Sequence, residues 1–153
     1  MKLAEALLLR ADIQKKLESL RERIVKNTVV QEGEKPSEDP NELLQQVIAM
    51  TDQLQKLIFS INEANLTGTT LGGRTLTEAL ARRDALALRH SIIQAAASSS
   101  TKQPERYGIK EIRWIKTLDV AILQKMIDDL GKEIRELNAE IQAANWQIEI
   151  QEH

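Results

Sequence analysis

The sequence predicts an all-α fold, an antiparallel up-down-up-down bundle of four helices. Aromatic residues make up only 3% of the 153 residues, which favours an aliphatic core of the kind that helices build more readily than strands. Leucine, isoleucine and alanine recur at steps of three and four residues between charged residues, the spacing of one helix face. A chain of this length fits one domain, residues 1–153.

The first half of the predicted bundle comprises helices over about residues 3–26 and 40–65. Steps of three and four residues run through both segments. The second helix has a marked start, because Asp39 can cap it and Pro40 occupies its first position. Between the two helices, the polar stretch QEGEKPSEDP predicts a solvated loop.

The second half comprises helices over about residues 76–97 and 118–151. Thr75 and Glu78 form a capping box that opens the third helix, and the run of serines after Ala97 is expected to end it. The fourth helix carries the most regular stripe in the chain, alternating steps of four and three without a break. Such regularity favours near-parallel packing against its neighbours, at roughly 20°.

Two short segments with β-branched or aromatic residues are candidates for strands. Residues 27–31 follow the first helix, and residues 111–116 precede the fourth. In an up-down-up-down bundle both lie at the same end, so we expect them to pair as a small two-stranded β-hairpin-like sheet. An isolated strand pair is marginal in water, so it would need packing against the bundle or a partner.

Composition excludes several classes of protein. The 21 basic and 23 acidic residues balance, whereas nucleic-acid binders usually show a basic excess or a basic face. Without Cys, disulfides, thiolate metal sites and cysteine nucleophiles are impossible. The apolar runs fall far short of the ~20 residues of a membrane-spanning helix. The N-terminal segment continues as an amphipathic helix rather than a signal peptide, so we expect a cytoplasmic protein.

No catalytic, cofactor or metal site is evident in the sequence. A di-iron bundle needs Glu-x-x-His pairs, but Ala87 and Ile150 stand three residues before the two histidines, His90 and His153. Gly72, Gly73, Arg74 and Thr75 do place glycines and a cation at a helix N-terminus, which favours anions. A loop followed by a helix cap is sufficient to explain these four residues, and we favour it.

Arg83 and His90 lie seven residues apart on an otherwise apolar face of the third helix. The first interpretation is a buried or half-buried polar layer that fixes helix register. A second is that this face borders a subunit interface, and a third is a small-ligand pocket. The expected partners of a polar layer are Asp84, Asn62, Asn65 and Asn138.

Trp114 and Trp146 are candidates for an interface, because Trp is enriched where proteins associate. In an antiparallel bundle they fall at opposite ends. Two anchors at two ends favour an oligomer with several contacts over a single pocket.

Several segments resemble the septicolysin-like family of small bacterial proteins. They are the opening MKLAEALLLRADIQKKLESLRERI, then INEAN, TLTEALARRD and EIRW, and the closing ELNAEIQAANWQIEI. The resemblance implies a compact helical protein of unassigned function, and some members carry the label of a cytolysin. It supplies no catalytic residues.

Three functions follow as hypotheses. We expect a structural or interaction protein that acts as a homo-oligomer, because long heptad stripes suit helix–helix association. The first alternative is a membrane-active, cytolysin-like protein. The second is a binder of a small anionic ligand, or an enzyme, that uses Arg74, Arg83, Asp84 and His90.

Overall fold

A computed structural model describes residues 1–101 and 114–151. Within these ranges the chain forms four α-helices and essentially no strands, which confirms the predicted all-α class. The helices are α1 (Leu3–Asn27), α2 (Pro40–Thr67), α3 (Leu76–Thr101) and α4 (Val120–Gln147).

The helix starts follow from local capping. At α2, the Asp39 carboxylate accepts a hydrogen bond of 2.8 Å from the Asn41 N–H, and Pro40 takes the first helical position as predicted. At α4, Asp119 accepts a bond of 2.9 Å from the Ala121 N–H. That cap places the start of α4 at Val120, two residues later than the predicted residue 118.

Two helix ends differ from the sequence-based expectation. The serine run does not end α3, which continues to Thr101; the Ser100 hydroxyl donates to the Ala96 carbonyl at 2.8 Å, a bond that a serine inside a helix can make. By contrast, α4 ends at Gln147 instead of residue 151. After that residue the backbone pairs with the N-terminus, and Ile150 N–H donates to the Met1 carbonyl at 3.0 Å.

The chain divides into two compact units. The first comprises Met1–Leu76 and the chain from Gln142 onwards, and the second comprises Thr77–Ile141. In the first unit α1 packs against α2. The turn between them is tied by Asn27, whose side-chain oxygen accepts from the Ser37 hydroxyl at 2.9 Å and from the Glu38 N–H at 3.2 Å. These bonds hold α1 and α2 as an antiparallel hairpin.

One end of the first unit brings together the ends of all four helices. Leu3 N–H, at the start of α1, donates to the Ile148 carbonyl just after α4 at 2.9 Å. Leu76 N–H, at the start of α3, donates to the Gly68 carbonyl just after α2 at 2.9 Å. Two helix starts and two helix ends therefore meet, which is the order that an up-down-up-down bundle requires. We call Leu3, Gly68, Leu76, Ile148 and Ile150 the end cluster.

Gly68 is the close-packed point of the end cluster. A Cβ atom placed there would lie 2.5 Å from the Ile148 side chain and 2.7 Å from the Ala64 carbonyl oxygen. Its φ of −73° is open to any residue. The position therefore requires glycine because of the space available, and it fixes the chain after α4 against the end of α2.

The second unit contains α3 from Thr77 and α4 up to Ile141. An ion pair between Arg82 and Glu133 joins the two helices. Their buried positions recur at the predicted heptad spacing. These side chains are Ala79, Leu86, Ala97, Leu123, Leu130, Leu137 and Ile141.

The structure does not support the predicted pairing of residues 27–31 with residues 111–116. Residues 29–31 and 114–116 are not strands, and residues 111–113 lie outside the described residues. Val29 is 83% exposed and Ile115 is 80% exposed, so neither segment has the packing that an isolated strand pair needs.

Candidate functional site

The loop that carries Arg74 and Thr75 connects α2 to α3. Thr70 N–H donates to the Arg74 carbonyl at 2.8 Å, and Gly73 N–H donates to the Thr70 carbonyl at 2.9 Å. Gly73 has a φ of +78°, which this tight turn requires and which a side chain would strain. Arg74 is exposed and Thr75 is half-buried. Both N–H groups are therefore used within the turn, and the anion-binding interpretation of this loop stays a prediction.

Arg83, Asp84 and His90 lie in the second unit. Arg83 donates to one oxygen of Asp84 from its Nε at 3.1 Å and from an Nη at 2.9 Å. The Arg83 side chain is 36% exposed and that of Asp84 is 70% exposed, and His90 is half-buried. The guanidinium is thus paired with the adjacent residue on its own helix.

The remaining predicted site residues are distributed over both units. Asn62 is exposed and Asn65 is half-buried, both near the end of α2 in the first unit. Trp146 belongs to the first unit and is 55% exposed, whereas Trp114 belongs to the second and is 75% exposed. The polar-layer and interface interpretations of these residues stay predictions.

The face of α3 opposite its buried side is apolar and exposed. On the buried side, Ala79 is 0% and Leu86 is 4% exposed. On the opposite side, Leu88 is 63% and Ile92 is 61% exposed, and exposed small residues continue their line in both directions. The full set, which we call the α3 seam, is Ala81, Ala85, Leu88, Ile92, Ala95 and Ser99.

A second apolar surface is a groove along the α1–α2 hairpin. Its volume is about 510 Å³. Leu17 and Ile24 of α1 and Val47 of α2 are half-buried in it, and Glu18 and Arg21 also line it. The groove differs from the α3 seam, whose six side chains are all exposed.

Two ion pairs in the first unit shift the pKa values of their members. Hydrogen bonds from Arg23 hold the pKa of Glu38 below its ordinary value, and the charge of Arg23 lowers it further. The same hydrogen bonds raise the pKa of Arg23. Lys2 donates to Glu149 at 2.8 Å, and this bond, with the charges of Lys2 and the N-terminus, lowers the pKa of Glu149. These pairs join α1 to the α1–α2 turn and to the chain after α4.

Among residues 1–101 and 114–151, His, Asp and Glu side chains nowhere gather in a group of three or more that could hold a metal ion. Across that same part of the chain, no helix combines the length and the apolar character needed to span a membrane.

The α3 seam was not among the predicted functional residues, although its spacing is visible in the sequence. Successive members stand four, three, four, three and four residues apart. Four of the six are Ala or Ser, which contribute little to an apolar pattern, whereas the opposite face, with Arg83 and His90, carries the more evident stripe. The exposure of Leu88 and Ile92 identifies it.

The fold is shared with a solved protein. The chain is 36% identical to the protein in a crystal structure described as that of a functionally unknown conserved protein from Corynebacterium diphtheriae. The similarity covers 99% of both chains, with a TM-score of 0.87. No curated protein matches the chain.

The resemblance to the septicolysin-like family is wrong. Residues 10–150 instead match a family of unknown function, DUF6847, and neither this match nor the C. diphtheriae protein carries the septicolysin description. The segments quoted for the resemblance lie largely on regular helices, where aliphatic and charged residues alternate in many unrelated bundles. With 141 consecutive positions matched (10 to 150 inclusive), the chain belongs to this DUF6847 family of unknown function.

Proposed function

We propose that the protein is a structural or interaction protein that acts as a homo-oligomer. The observation that carries this proposal is the α3 seam, a line of six exposed side chains on one helix. Single exposed apolar residues are ordinary on protein surfaces. A continuous apolar line at heptad spacing is different, because that spacing is what helix–helix association uses.

The composition of α3 supports the same proposal. A helix at the surface of a globular protein usually has one apolar face and one charged face. In α3, Leu86 faces the buried side and Leu88 the opposite side, and both sides continue with apolar residues for several turns. The buried side already packs within the chain. The second apolar side favours a further helical partner.

A binder of a small anionic ligand is less well supported. That alternative relies on Arg74, Arg83 and His90, but Arg83 is already paired with Asp84 at 2.9 Å. The homo-oligomer proposal needs no rearrangement of side chains, so we favour it.

Sedimentation equilibrium of the full chain over about three decades of concentration tests the proposal. We expect the mass to rise from that of the 17.3 kDa chain to a multiple of it as concentration increases. A mass that stays at 17.3 kDa over the whole range would overturn the proposal.

A further inference from the structure

We propose that the α3 seam pairs with the α3 seam of a second copy as a parallel, in-register, two-stranded coiled coil. In this arrangement Asp84 of each copy faces Arg89 of the other. The inference rests on the proposed function for the existence of the oligomer, and it adds the contact surface and the orientation of the chains.

The geometry of the α3 seam is that of a coiled-coil stripe. Alternating steps of four and three residues place its members at the two apolar positions of a heptad, a and d, over 18 residue steps from Ala81 to Ser99. At 1.5 Å per residue this stripe is about 27 Å long. Leu88 occupies a d position and Ile92 an a position, the combination that favours two-stranded parallel coils.

The sizes of the side chains make the α3 seam complementary to itself. The two large residues, Leu88 and Ile92, stand at its centre. Small residues stand towards both ends, and they allow two helix backbones to approach to about 8 Å. A second copy of α3 supplies the matching sequence of large and small layers in either direction. The partner that fits is therefore this chain itself, and size alone leaves the direction open.

The charges beside the α3 seam decide the direction. In a parallel, in-register pair the g position of one helix faces the e position five residues further on in the other. Asp84 is at g and Arg89 at e, so two opposite-charge pairs form, one on each side. In an antiparallel pair e faces e, and Arg89 would stand against Arg89 of the second copy. Both side chains are exposed and available for this contact.

The remaining charges of α3 are compatible with this pairing. Arg82, the other cation at an e position, is held by Glu133 of α4. Arg83 bonds to only one oxygen of Asp84, and a carboxylate accepts more than two hydrogen bonds. Asp84 can therefore contact Arg83 of its own chain and Arg89 of the second copy at the same time.

The extent of the α3 seam predicts a weak dimer. Stable interfaces bury about 1,200–2,000 Å² in total, and a single stripe about 27 Å long, in which four of six side chains are Ala or Ser, offers less area than that. We therefore expect association that depends on concentration and that a single central substitution abolishes.

The first test is Leu88→Glu, with Leu8→Glu as its matched control. Leu88 and Leu8 are 63% and 62% exposed, so neither change should disturb the fold. Sedimentation equilibrium should show that Leu88→Glu lowers the affinity of the dimer at least about thirtyfold and that Leu8→Glu leaves it unchanged. An oligomer that survives Leu88→Glu would overturn the α3 seam as the contact while leaving the proposed function intact. A wild-type chain that is monomeric throughout would overturn both.

The second test reads the direction of the helices with single cysteines, which the natural chain lacks. In the parallel pair, Ala81→Cys meets its own copy at disulfide distance, with Cα atoms about 4.4–6.8 Å apart. Mild oxidation should then give a disulfide-linked dimer for Ala81→Cys. The control Ala87→Cys, also exposed but beside the α3 seam, should remain uncrosslinked.

The antiparallel alternative gives the opposite pattern. Residue 81 would then face residue 99, so Ala81→Cys would crosslink only when mixed with Ser99→Cys. That result would overturn the parallel arrangement. Failure of every seam cysteine to crosslink, in a protein that sedimentation shows to be oligomeric, would overturn the α3 seam and leave the proposed function standing.

Discussion

The end cluster and the α3 seam use the same kinds of side chain with opposite results. In the end cluster, Leu3 and Leu76 are each 0% exposed, because the chain after α4 returns to pair with the N-terminus. In the α3 seam, Leu88 is 63% exposed. Aliphatic residues thus stabilise the fold where the chain returns to cover them, and we propose that they form a contact surface where it does not.

The largest expected effect comes from truncating Leu3, with the truncation of Leu88 as its comparison. Leu3→Ala should lower the free energy of unfolding by about 2–5 kcal/mol, because it leaves a cavity in a site without solvent access. Leu88→Ala should change it by less than about 1 kcal/mol at dilutions where the chain is monomeric. Chemical denaturation followed by circular dichroism measures both. Equal losses for the two variants would remove the distinction between the regions.

Two substitutions of glycine by alanine sharpen the comparison, because they should change the free energy of unfolding in opposite directions. Gly68→Ala should destabilise the fold by about 1–3 kcal/mol, since its Cβ would stand 2.5 Å from Ile148. Gly131, within α4, has only the flexible Arg135 side chain nearby, at 3.5 Å. Gly131→Ala should therefore stabilise the fold by about 0.5–1 kcal/mol.

Thermal unfolding of the two variants checks these signs. A Gly68→Ala protein as stable as the natural chain would show that the chain after α4 is not fixed at this point. A Gly131→Ala protein less stable than the natural chain would mean that the space around residue 131 of α4 is smaller than the distance to its nearest neighbour indicates.

The smallest expected effect is a loss of stability at acidic pH. The pKa values of Glu38 and Glu149 are lowered from 4.5 in the folded chain. Their contribution is therefore present above pH 4.5 and is lost as the pH falls through the lowered folded-state values. Melting temperatures measured from neutral pH downwards should show Glu149→Gln less stable than the natural chain at neutral pH. The difference should vanish in acid, and a difference independent of pH would contradict the assignment.

The sequence predicted the architecture well because heptad spacing and helix caps are local signals. Asp39, Pro40 and Thr75 located the starts of α2 and α3, and the stripes located the buried faces. The ends of α3 and α4 were misplaced for different reasons. A serine run does not by itself stop a helix, because a hydroxyl such as that of Ser100 can bond to a carbonyl one turn back. The pairing of Ile150 with Met1 spans nearly the whole chain, which no local pattern contains.

The candidate site was harder to predict from the sequence. Arg83 and His90 were predicted as site residues because they are polar residues on an apolar face, yet Arg83 forms an ion pair with the neighbouring Asp84. The α3 seam escaped because alanine is compatible with both buried and exposed helix faces. Exposure depends on where the rest of the chain packs, so only the three-dimensional structure distinguishes a buried stripe from a free one.

The central claim is that the α3 seam is a contact surface between two copies of the chain. A dilution series followed by methyl nuclear magnetic resonance tests it most directly, because it reports each leucine and isoleucine separately. We expect the methyl signals of Leu88 and Ile92 to move with concentration, while those of Leu3 and Leu8 stay fixed. Leu88 and Ile92 signals that do not move over a concentration range in which the mass of the protein changes would contradict the claim.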